Sequence, residues 1–73
     1  MARHQVESEA AGIVCQLAVS VGDTVQEGEV LLYLESMKMQ IPVEASKAGT
    51  VVEFLVQLED SVDENQAVAV IEA

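Results

Sequence analysis

Seventy-three residues, 51% apolar and only 3% aromatic, make one small domain whose core must come from Val, Leu, Ile and Ala. Thirteen acids against three Lys and Arg give a net charge of −10, which excludes nucleic acid and anionic membrane as natural partners and suits basic patches on other proteins. One cysteine, Cys15, allows no internal disulfide, and no apolar run approaches the roughly 20 residues that span a membrane.

Taken in order, the N-terminal Met-Ala-Arg-His-Gln carries no signal-peptide hydrophobic stretch. The expected location is therefore cytoplasmic, with the mitochondrial matrix or a plastid open to a processed or excised domain. Gly-Ile-Val-Cys-Gln-Leu-Ala-Val, residues 12–19, is a β-branched-rich run opened by glycine and predicts a strand. A polar turn follows over 21–28, then an apolar run, Val-Leu-Leu-Tyr-Leu, over 30–34. After a seam at 36–42, Gly-Thr-Val-Val-Glu-Phe-Leu-Val (49–56) predicts another strand, 58–65 a second polar turn, and 67–71 a closing apolar run. No stretch holds a helical period, so the domain is expected to be all-β.

The second half mirrors the first. Val6, Glu7, Ala11, Gly12, Val14, Val19, Asp23, Val25, Glu27 and Glu35 each recur 37 residues on, ten identities over the 30 positions that align 6–35 with 43–72. Gly28 and Asn65 match in the turns, and both residue types tolerate positive φ. Two copies of a unit too small to bury its own face are expected to pack on each other. The predicted architecture is a flattened β-barrel or sandwich, a barrel-sandwich hybrid of two quasi-symmetric halves. Symmetry then sets the seam at one end of the molecule and both termini together at the other.

The seam contains Glu35-Ser36-Met37-Lys38-Met39. A single strand through it would far exceed the usual 5–6 residues, so a hairpin apex is expected near Met37-Lys38, with Lys38 in solvent. Pro42 suits an edge or strand-end position. Lysines on solvated turns are protonated at neutral pH, which makes a self-activated nucleophile or Schiff base here a poor reading. Lys38 is better suited to accept an acyl group from an enzyme that brings an activated donor. The competing reading turns Met37 and Met39 inward as ordinary core and leaves Lys38 a plain turn residue.

Glu35-Ser36-Met37-Lys38-Met39 resembles the biotin-attachment motif of biotinyl domains, usually Glu-Ala-Met-Lys-Met. The resemblance extends over Val6–Val14, the Val21–Val25 turn, Ile41–Val52 and the closing Ala67–Glu72, nearly the whole of residues 1–73. It implies a non-catalytic biotin carboxyl carrier with biotin attached covalently to Lys38 by biotin protein ligase. Such a carrier visits a biotin carboxylase and then a carboxyltransferase of a biotin-dependent carboxylase or decarboxylase. It also implies that Glu35, Ser36, Met37 and Met39 serve recognition and that no residue is catalytic or binds metal.

The chain departs from the family pattern in three places. Ser36 replaces the commoner alanine, Ser8–Gly12 lacks the early proline, and Glu59 stands where a turn glycine is common. The halves match without an insertion, so the resemblance is to the type that lacks a protruding thumb loop. A lipoyl carrier on the same fold is the alternative, although lipoyl domains usually carry Asp-Lys-Ala around the lysine. An unmodified interaction module is the other. Elsewhere His4 reads as solvated, Cys15 as a small core residue in mid-strand, Lys47 as a loop charge, and Glu59, Asp60, Asp63 and Glu64 as a solvated turn.

Overall fold

The computed structural model describes residues 2–73. Eight strands follow one another: β1 (Arg3–Glu7), β2 (Gly12–Leu17), β3 (Thr24–Val25), β4 (Val30–Ser36), β5 (Met39–Glu44), β6 (Gly49–Phe54), β7 (Ser61–Val62) and β8 (Ala67–Glu72). They form two antiparallel four-stranded sheets, β1-β8-β6-β3 and β5-β4-β2-β7. There is no helix among the described residues. The expected all-β sandwich is what forms, and each consecutive half contributes strands to both sheets.

The core between the sheets is aliphatic: Val14, Leu31, Leu32, Leu34, Val68 and Ile71 are among its fully buried members. A regular strand would bury only alternate residues, yet the consecutive pairs Leu31-Leu32 and Val68-Ala69 all lie in the core. Bulges explain this. Val30 and Leu32 face Glu44 and Val43, leaving Leu31 as an extra residue on β4. Val68 is the extra residue on β8, between Ala67 opposite Glu7 and Ala69 opposite Val6. Each bulge lets neighbouring side chains enter the core together.

A second pair of bulges acts outward. Val14 and Gln16 face Leu34 and Tyr33, so Cys15 is the unpaired extra residue on β2. Cys15, next to the buried Val14, is exposed, and its expected place in the core is overturned; the bulge leaves Gln16 exposed beside it. Its thiol lies 3.5 Å from the Tyr33 carbonyl oxygen, to which it donates. Val52 is the extra residue on β6, between Val51 opposite Ile71 and Glu53 opposite Val70.

Where β6 begins, the backbones come unusually close. A Cβ on Gly49 would sit 2.5 Å from the Glu72 carbonyl oxygen and 2.7 Å from Ile71 Cγ2, so only glycine allows this approach. Four turns are closed by one device. Asp23, Glu29, Asp60 and Gln66 each donate a backbone N–H to the carbonyl three residues before. Their side chains in return accept the N–H of that same residue, at 2.9, 3.0, 2.8 and 2.9 Å. Both backbone groups of the turn are thereby satisfied without a longer loop.

The turn residues hold left-handed backbone as well. Gly28 and Asn65 have φ of 86° and 68°, in line with the residue types expected there. Gly22 has φ 98°, whereas Glu59, 37 positions later, carries φ 73° with a full side chain.

Candidate functional site

Ser36 pairs with Met39 at the end of the β4–β5 ladder, so Met37 and Lys38 alone make the turn. Their φ angles are 52° and 66°. Two left-handed residues in a two-residue hairpin match the twist of the flanking strands, a demand usually met by Asn-Gly. Met-Lys meets it at a cost of about 1–2 kcal/mol per residue. The ladder from Val30–Glu44 to Ser36–Met39 holds the strained apex in place.

That conformation carries the Lys38 side chain into solvent, clear of both sheets. Met37 is 92% exposed and Met39 65%, so the inward reading of the methionines is overturned. Glu35 is exposed and lies opposite both Gln40 on β5 and Ile13 on β2, while Ser36 is half-buried. The structure therefore brings Glu35, Ser36, Met37, Lys38 and Met39 together on one protruding tip. Pro42 sits in β5, an edge strand, where a missing N–H costs no ladder bond.

The tip contrasts with the opposite end of the molecule. There Ala2 and Ala73 exchange two backbone hydrogen bonds of 2.9 Å, and Arg3 Nε lies 3.4 Å from Glu72 Oε2. This is the one ion pair found among the described residues. At the tip the cross-strand neighbour of Glu35 is the uncharged Gln40. Two carbon-rich side chains and an unpaired amine thus project together, an arrangement that admits acylation of Lys38 without displacing any contact of the fold.

The remaining candidates lie elsewhere. Lys47 is an exposed loop residue between β5 and β6. His4 is half-buried on β1 opposite Ile71. Asp60 is the turn-closing acceptor for the Gln57 N–H, and Asp63 donates its own N–H to Gln66. No group of three or more His, Cys, Asp or Glu converges among the described residues in the manner of metal ligands. The closing side chains of the four turns escaped the sequence reading, although an acid or amide three residues after each turn's start was a usable signal.

The family model described as biotin-requiring enzyme, the biotin/lipoyl group, matches residues 2–71. The chain belongs to this family. As a member it is a biotin-requiring carrier domain, similar to domains of carboxylases. It is similar to part of the Kluyveromyces lactis urea carboxylase, with TM-score 0.91 and 32% identity over 99% of this chain and 6% of that one. A single-chain, multi-domain long-chain acyl-CoA carboxylase matches with TM-score 0.84 and 28% identity, over 93% of this chain and 7% of the other. Among curated proteins, the biotinylated protein TB7.3 homolog of Mycobacterium leprae is 50% identical over 40 residues. That match takes in 55% of this chain and 56% of the relative, so the chain spans about half the length of the curated relatives it matches. The biotinylated protein TB7.3 of Mycobacterium tuberculosis is 45% identical over the same share.

Proposed function

We propose that this protein is a biotin carboxyl carrier whose biotin is attached to Lys38, and that residues 1–73 form a single biotinyl domain of two repeated units, 6–35 and 43–72. The observation that carries the reading is the place of Lys38: on a strained, exposed two-residue apex between Met37 and Met39, in a chain of the biotin-requiring family. Matched bulges and matched turn clamps 37 residues apart support the repeated unit.

Lys38 Nζ receives an acyl group from the ligase-bound biotinyl adenylate. The amide bond forms as the acyl–phosphate bond breaks, releasing AMP and the amine proton. When bound, biotin supplies a ureido nitrogen able to accept and give up a carboxyl group. The protein's own part is to tether and present. Lys38 provides the link, and Glu35, Ser36, Met37 and Met39 shape the surface that biotin protein ligase, biotin carboxylase and carboxyltransferase read. Attachment at the tip raises the effective concentration of the cofactor at both enzyme sites. The domain itself is not a catalyst, and we place it in the cytoplasm or, as a processed domain, in the mitochondrial matrix or a plastid.

Co-expression with a biotin protein ligase tests the assignment. Intact mass is expected to rise by one biotinyl group, to stay unchanged in Lys38→Arg, and to rise normally in Lys47→Arg. Attachment at Lys47, or a lipoyl group in place of biotin, would overturn it.

A further inference from the structure

One flank of the sandwich is apolar where a small soluble domain has little reason to be. Ile13 is 51% exposed, Leu58 54% and Val21 58%. They do not lie scattered. Leu58 lines a shallow groove with Leu17, Phe54 and Val21, and also lines a second groove with Ile13 and Cys15. The two grooves join at Leu58 into one strip. It starts beside the attachment hairpin, since Ile13 lies opposite Glu35, and it runs away from the tip along the β2–β3 and β6–β7 crossovers. At the far end of the molecule the place opposite Glu72 is taken by the polar Thr50, so the strip is open and apolar beside the Lys38 hairpin and meets a polar residue at its other end. The other flank, between β1 and β5, is more polar: Gln5, Glu7, Ser8, Glu9, Glu44 and Asn65 line it beside Pro42 and the buried Val6, Val43 and Ala45. A contiguous exposed apolar strip of this kind marks an interaction surface.

Its edges say what kind. Glu35, Glu53 and Glu59 line the two grooves, and no Lys or Arg does. A second copy of the chain would bring the same carboxylates and the same net charge of −10 against them, which like-charge repulsion opposes. A partner with an apolar ridge edged by Lys and Arg fits both features. An enzyme that gathers bicarbonate and a nucleoside triphosphate must surround its site mouth with positive charge.

We propose that the strip from Ile13 through Leu58 to Val21 is the flank on which a basic-rimmed biotin carboxylase docks, steering the Lys38 tip into its active site. The proposal rests on the carrier reading above and adds a surface to it. Contacts remote from the reacting atoms then provide the orientation that a flexible tether alone cannot.

The test uses the full chain with Lys38 unmodified, so that it does not depend on the cofactor. Binding to the biotin carboxylase of the same carboxylase system is measured by calorimetry. For Ile13→Thr/Val21→Ser/Leu58→Ser the Kd is expected to rise at least about tenfold, with thermal melting used to confirm folding. Leu58→Ser alone, a milder change that keeps the test open should the triple variant unfold, is expected to raise it about threefold. Wild-type binding should weaken as ionic strength rises, and Glu7→Gln/Glu44→Gln on the opposite flank should bind as wild type. Unchanged binding by the folded variants, or a wild-type self-association lost in them, would overturn the proposal. Loss of the carrier reading shows separately, as a wild-type chain that ligase leaves at its unmodified mass.

Discussion

Ala2 and Ala73 donate backbone N–H groups to each other's carbonyls, both at 2.9 Å, joining the two chain ends at the pole opposite Lys38. The pairing extends the β1–β8 ladder by one step and leaves the Lys38 hairpin clear of both chain ends. Whatever is joined to either terminus therefore stands behind the domain. Fusing a folded partner to the N- or the C-terminus is expected to leave the rate of biotinylation at Lys38 within about twofold, because docking at the tip is not obstructed. Avidin blotting over a time course checks this.

Gly49 bears the tightest approach in the fold. A methyl group there meets the Glu72 carbonyl at 2.5 Å and Ile71 Cγ2 at 2.7 Å, against 2.9 Å to the Glu35 carbonyl for Gly12. Gly49→Ala is expected to destabilise by about 2–3 kcal/mol and Gly12→Ala by less, since overpacking forces backbone shifts. Urea denaturation of both variants gives the comparison.

Glu59 holds a left-handed backbone, φ 73°, that Gly22 occupies in the other half at φ 98°. Glu59→Gly removes the Cβ strain but adds unfolded-state entropy, so the net gain is expected to be about 0.5–1 kcal/mol. A higher urea midpoint with unchanged slope is the expected sign.

Asp60 closes its turn by accepting the Gln57 N–H at 2.8 Å while donating its own N–H back to the Gln57 carbonyl. Asp60→Ala is expected to cost about 1 kcal/mol, and Asp60→Asn, which keeps an acceptor oxygen, clearly less. Thermal melts of the two variants separate loss of the acceptor from loss of charge.

Much of the site was legible because it is local. The Glu35–Met39 motif, its place between two apolar runs and the need for a turn there all follow from neighbours in the chain. The miss at Cys15 has a physical cause: its apolar character argues for burial, but the strand gives the core to its neighbour Val14. Alternation itself fails one step on, where the bulge between Val14 and Gln16 leaves Gln16 exposed as well. The same limit hid why Leu31 and Leu32 are both buried, since a bulge is set by the partner strand.

By itself the sequence determined the all-β class, the aliphatic core, the acidic charge and the lysine between two methionines. These depend on composition and short-range pattern, which act on the chain before it folds. Only the tertiary structure decided the rest. It turned Met37 and Met39 outward, and it forced Met37 and Lys38 into left-handed backbone because strand twist demands it at a two-residue hairpin. It also drew Ile13, Leu58 and Val21 into one strip. Residues so far apart in the chain meet only when the crossovers lay one sheet over the other, and no local propensity encodes that meeting.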